Sequence, residues 1–193
     1  MKLMLVFLAV SAIVGLVLGG RVRNLRSMRI RWPGLAIVGF ALQLVTGPGD
    51  TVPLVCLYVS FVSLTVFAVK NVRTAGFPLI LIGVVLNFAV IGLNQGMPVA
   101  RQALIASDQV TALNDLIDNP YPKHHLATDD DLVLFLGDVI GVPAPVRQAI
   151  SIGDIFTYGG VGLVIVFGMR APSARREDEP ESGGSAVVDG VHA

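Results

Sequence analysis

Two short stretches sixteen residues apart, Leu136-Gly137-Asp138-Val139 and Ile152-Gly153-Asp154-Ile155, each place a carboxylate after a glycine in otherwise apolar sequence. An acid in such surroundings costs free energy unless it meets a partner, a cavity or a cation, which makes both candidates for catalysis or ion binding. The glycines allow close backbone approach, so the two carboxylates can line one crevice. Asp154 also has a local explanation, because Ser151-Ile152-Gly153-Asp154 fits a capping box at a helix start, and capping is the favoured reading. Asp138 has none. A second cluster, Lys123-His124-His125 followed by Asp129-Asp130-Asp131, combines imidazole with carboxylate, both ordinary zinc ligands. Adjacent histidines point apart, however, no HExxH pattern exists, and Thr128 to Asp131 reads as a helix N-cap with acids in its first turn, so no metal site is assigned. A third motif, Asn94-Gln95-Gly96-Met97-Pro98-Val99, can end a helix, with Gly96 taking positive φ and Pro98 stopping the chain, or can form an amide-lined polar floor. Gln43, Asn87, Asn94, Gln95, Asp138 and Asp154 are the polar groups lying at membrane depth. Asn94, Gly96, His124, Asp138 and Asp154 are the candidate ligand-binding residues; no catalytic residue and no cofactor is assigned.

The elements that must position these groups follow from composition. Of 193 residues, 53% are hydrophobic and 15% charged, with mean hydropathy +0.72, against about a quarter charged in a soluble domain. The zero formal net charge argues against a nucleic-acid partner. The lone Cys56 sits in an apolar run, which excludes an intramolecular disulfide and a cysteine-based metal site. Windows long enough to span about 30 Å of hydrocarbon, with charge only near their ends, occur at 3–20, 52–69, 75–93 and 150–169. A shorter fifth, 32–46, is interrupted only by Gln43 and flanked by Trp32, Pro33 and a Gly47-Pro48-Gly49 breaker. The first run resembles a signal peptide, but it lacks a cleavage site before a soluble domain and leads at once into Arg21, Arg23, Arg26, Arg29 and Arg31, so it is read as an uncleaved helix.

Basic residues in short loops are retained on the cytoplasmic side. Placing the arginine-rich loop inside and alternating through five spans leaves ten basic residues inside and four (Lys2, Arg101, Lys123 and Arg147) outside, with the N-terminus outside and the C-terminus cytoplasmic. On that assignment nine aspartates lie outside, so the zero net charge is a cancellation between two charged faces. The outer segment, 94–149, is expected to carry an amphipathic helix with Val99, Ala103, Ala106, Val110, Leu113 and Ile117 on its apolar face, ended by Asp118-Asn119-Pro120-Tyr121-Pro122. It is also expected to hold a short half-inserted or buried helix at 132–142, a run too short to span. Residues 171–193 read as a disordered cytoplasmic tail beyond a bundle covering 1–170. Ser11, Gly15 and Gly19 on the first span, and Gly159, Gly160 and Gly162 on the last, allow close helix packing within the chain or in a dimer.

In their order, Asn94-Gln95-Gly96-Met97-Pro98-Val99, Lys123-His124, Leu136-Gly137-Asp138 and Ser151-Ile152-Gly153-Asp154 resemble an uncharacterised family of small bacterial multi-pass membrane proteins, known as a domain of unknown function. The likeness covers about residues 3–169. It implies a bacterial cell-membrane location and draws attention to Asn94, Gly96, Pro98, His124, Asp138 and Asp154 without giving them a role. The resulting expectation is an all-α integral membrane bundle of about five transmembrane helices, surrounded by membrane lipid. Its outward-facing crevice would bind a small ligand, a cation or a lipid headgroup. Three rivals stand beside it: an Asp/His enzyme, metal-dependent or not, acting on a lipid-linked substrate; an ion-coupled permease; and a structural subunit of a homo-oligomer or membrane complex.

Overall fold

Long apolar runs can satisfy all their backbone groups internally only as helices where water is scarce, and the five apolar windows are helical in the computed structural model of the chain. The structure describes residues 2–45, 51–118 and 123–171. The helices are α1 (Lys2–Val17), α2 (Pro33–Gln43), α3 (Thr51–Lys70), α4 (Phe77–Asn94) and α7 (Ile152–Arg170), their ends falling within about three residues of the expected spans. Among the described residues, α3, α4 and α7 are long and apolar enough to cross a membrane, whereas α1 and α2 are apolar but shorter. The expected breaker at 47–49, the stop at 119–122 and the tail from 172 lie outside the described residues.

Contacts fix the direction of each helix. Gln43 Nε2 on α2 donates to Ser60 Oγ on α3 at 3.0 Å, and the Arg31 N–H donates to Asn71 Oδ1 at 2.7 Å, so α2 and α3 run antiparallel. Phe61 stacks on Phe88 with ring centroids 5.7 Å apart and Phe67 meets Phe77 edge-on at 5.4 Å, which sets α4 antiparallel to α3. Asn87 on α4 meets Asp154 on α7, while Gly76, just before α4, lies under Gly160. α1 runs parallel to α7, with the Leu3 N–H on Gln148 Oε1 at one end and Gly15 against Met169 at the other. Small residues permit these approaches: a Cβ on Gly83 would collide with the Gly153 carbonyl and Thr157, and Gly162 packs on Ser11. Leu57, Phe61, Leu64, Val84, Val90, Ile91 and Met97 form the main core. Outside it, Leu5, Ile13, Ile37, Phe40, Val55 and Val62 are exposed apolar side chains on the flanks.

The segment between α4 and α7 departs from the sequence reading. The single amphipathic helix is two helices, α5 (Arg101–Ala106) and α6 (Val110–Asp118), preceded by a strand, β1 (Met97–Val99). Ser107 ends α5 by donating its hydroxyl to the Ala103 carbonyl at 2.7 Å, and Asp108 then takes φ 54°. The break resets the helical phase. Ala103, Leu104, Leu113 and Leu116 are therefore buried while Ala106, Val110 and Ile117 are exposed. The expected helix at 132–142 is not one; only Leu134–Leu136 makes a single 3-10 turn, followed by β3 (Ile140–Val142). β3 pairs antiparallel with β4 (Gln148–Ile150), and β1 pairs parallel with β2 (His124–Leu126) in the register Met97↔His124 and Val99↔Leu126. No helix starts at Thr128 either: Asp131 Oδ2 accepts from the Thr128 N–H at 2.8 Å and closes a turn. Pairing of the flanking strands supplies the backbone bonds that a helix would have made for itself.

Candidate functional site

Helix α7 begins with a capping box: the Asp154 N–H donates to Ser151 Oγ at 3.0 Å and the Ser151 N–H donates to Asp154 Oδ2 at 3.3 Å. Asn87 extends it across the α4–α7 contact, donating from Nδ2 to Asp154 Oδ1 at 2.9 Å and accepting from Ser151 Oγ at 2.8 Å on Oδ1. Both Asp154 oxygens are thus engaged. The ring joins two helices and gives a half-buried acid a donor on each oxygen, as a polar group in an apolar bundle requires.

Asp138 is held differently. Its backbone N–H donates to the Pro98 carbonyl at 3.0 Å and its carbonyl accepts from the Ala100 N–H at 3.0 Å, which sets it beside Val99 as a further rung on β1. The residue is 9% exposed, and its Oδ1 has no hydrogen-bond partner among the described residues. Burial, reinforced by the charge of Asp154, pushes its pKa up to about 8.

Both acids and His124 line one crevice of about 400 Å³ at the α4 C-terminal and α7 N-terminal end of the bundle. β2 delivers His124 to it. The residue keeps accessible surface and lines the crevice; desolvation, then the charges of Lys123 and His125, bring its pKa down to about 4. It is therefore neutral at neutral pH. His125 points to the other face of β2, where its Nε2 lies 2.8 Å from Asp131 Oδ1. Burial raises the Asp131 carboxyl, but hydrogen bonds from Thr128 and His125 outweigh it and leave its pKa lowered. Lys123 turns away to donate to the Gln43 and Val45 carbonyls at 2.6 and 2.5 Å, capping the end of α2.

The other two candidates do not reach the crevice. Asn94 clamps the backbone of Leu132, donating to its carbonyl at 2.9 Å and accepting its N–H at 2.7 Å. Gly96 is buried at the turn into β1 and takes a positive φ, 157°, as expected, while the residue that caps α4 in the left-handed helical region is Gln95, at φ 57°. Conversely, the crevice includes residues that carry no motif in the sequence. Gln109, Asp115 and Gln148 add polar groups, and Val99, Leu104, Ala112, Leu116 and Ala149 make an apolar wall. The lining holds three carboxylates and no lysine or arginine, an arrangement suited to a cation or a hydrogen-bond donor.

A family profile described as a family of unknown function, DUF5317, matches residues 27–166. An uncharacterised protein of Thermotoga maritima is 33% identical over 153 residues, covering 78% of this chain and 83% of the relative. No solved structure matches. The match spans the core helices, the Asn94 clamp and all three crevice motifs, and the chain belongs to the DUF5317 family.

Proposed function

We propose that this is a multi-pass membrane protein whose five apolar helices cross the bacterial cell membrane with the N-terminus outside and the C-terminus cytoplasmic. Its crevice would open on the external face as a binding site for a small ligand. The observation that carries this reading is the convergence of His124, Asp138 and Asp154, from three separate stretches of chain, on one crevice. Supporting the topology, helix direction alternates from α1 to α4 and α7 runs parallel to α1. Arg21, Arg23, Arg26, Arg29, Arg31, Lys70, Arg73 and Arg170 are all exposed at the end opposite the crevice. The exposed apolar flanks fit a lipid surround. α2 supplies about 16 Å of its crossing at 1.5 Å per residue, the non-helical chain at its ends making up the rest, and the Lys123 ammonium supplies donors to its last carbonyls where bilayer water would be scarce.

Among the ligand classes the sequence allows, the lining favours a cation over a phosphate headgroup, because a phosphate would face three carboxylates with no basic partner. Native mass spectrometry of the gently extracted full chain tests the site. A retained small molecule that Asp138→Asn releases is the expected result; wild type and variant both carrying nothing at every extraction strength would overturn it.

A further inference from the structure

Asp154 and Asp138 stand on the same crevice with opposite hydrogen-bonding states. Asp154 has a donor on each oxygen, from Asn87 and from the Ser151 backbone, whereas Asp138, nine-tenths buried, has an oxygen with no donor. A buried acceptor left unpaired costs about 1–3 kcal/mol, so this position is incomplete as it stands. The missing group must donate hydrogen bonds, and the surroundings favour a positive one: Asp115 and Asp154 line the space, Asp138 releases its proton to solvent as a cation takes its place, His124 is neutral, and the nearby Lys123 is occupied on α2. Val99, Leu104, Ala112 and Leu116 form the apolar part of the wall, which a bare ion would not use. No three His, Cys, Asp or Glu side chains among the described residues are grouped closely enough to share a metal ion.

We propose that the crevice binds a primary ammonium group carried on a short apolar body, the nitrogen donating to Asp138 and the carbon chain lying against Val99, Leu104, Ala112 and Leu116. This rests on the reading of the crevice as a ligand site and names its substrate class. A primary ammonium has three N–H donors, so it can bond the Asp138 carboxyl where that residue lines the crevice and keep donors for other acceptors of the wall. Two sources share that ammonium chemistry: a free alkylamine, and the ethanolamine headgroup of a lipid whose phosphate stays outside the crevice mouth, clear of the carboxyl groups.

The experiment follows the thermal unfolding midpoint and binding affinity of the full chain with four probes: n-butylamine in lipid-free micelles, butyrate and calcium chloride at matched ionic strength, and nanodiscs of phosphatidylethanolamine against phosphatidylcholine. Stabilisation by butylamine, weakened about tenfold or more by Asp138→Asn and also weakened by Ala112→Leu, which fills the apolar half, supports a soluble amine. Stabilisation confined to phosphatidylethanolamine discs and lost in Asp138→Asn supports the lipid source. Equal stabilisation by butyrate or calcium, or amine binding untouched by Asp138→Asn, overturns the ammonium while leaving the crevice a ligand site. If no probe moves the wild-type midpoint, the ammonium is overturned, and if native mass spectrometry also finds nothing retained, the crevice reading falls with it.

Discussion

Asp138 and His124 share a crevice yet respond to pH in opposite senses. The folded pKa of Asp138, about 8, lies above the 3.8 of the free acid. Between those values the folded protein keeps a proton that the unfolded chain has released, and stability falls as pH rises, with a ceiling of about 1.4 kcal/mol per pH unit. For His124 the folded value, about 4, lies below the ordinary 6.5. Here the unfolded chain holds the extra proton, and stability rises with pH across that range until it is complete above about 6.5. The Asp138 effect is therefore isolated between about pH 6.5 and 8. In that window the unfolding midpoint of the wild type in mild detergent should fall with pH, while Asp138→Asn should flatten the slope and be the more stable protein at pH 8. Parallel slopes for the two proteins would remove the buried, unpaired carboxyl from this account. Asp138 stood out in the sequence because no local cap explained an acid there. Its open oxygen was not legible there, since that depends on Pro98 and Ala100 holding the backbone while nothing reaches the side chain.

At the scale of elements, close helix approach and the turns of the cap are the quantities to perturb. Gly83 and Gly153 bring α4 and α7 together where a methyl group would strike backbone. Gly83→Ala should lower stability by about 1–3 kcal/mol, read as a fall in Tm; an unchanged Tm would mean that the two helices are farther apart than described. Gln95 ends α4 in the left-handed region with an exposed side chain, a conformation that strains an L-residue. Gln95→Gly should stabilise by about 0.5 kcal/mol after the extra freedom of glycine in the unfolded chain is deducted, measured by the same unfolding curve; a loss would assign the Gln95 side chain a partner. The five apolar helices were legible because an uncharged run of such length has few alternatives to helix. The cap was not. Three-residue strands such as Met97–Val99 and His124–Leu126 are too short to show a period, and their partners lie far along the chain. The helical periodicity through 99–117 also misled, because Ser107 and Asp108 interrupt it with a turn that hydrophobic spacing does not encode.

Across the whole molecule, charge divides by end. Eight basic residues and no acid among the described residues occupy the end with the Arg21 to Arg31 loop, and eight aspartates gather with the crevice at the other. Alternating helix direction gives this division its geometry: α1 and α7 run in parallel, and the turns between helices return to the same two faces. On the proposed topology a bilayer between those faces would cover the exposed apolar flanks and leave the crevice accessible from one side only. Reaction of single cysteines with a membrane-impermeant thiol reagent in intact cells, in a Cys56→Ser background, measures this most directly. Ala112→Cys on the crevice wall should be labelled without permeabilisation and Arg23→Cys only after it. Labelling of Arg23→Cys in intact cells with Ala112→Cys protected would contradict the orientation, and labelling of both would contradict a membrane between the two ends.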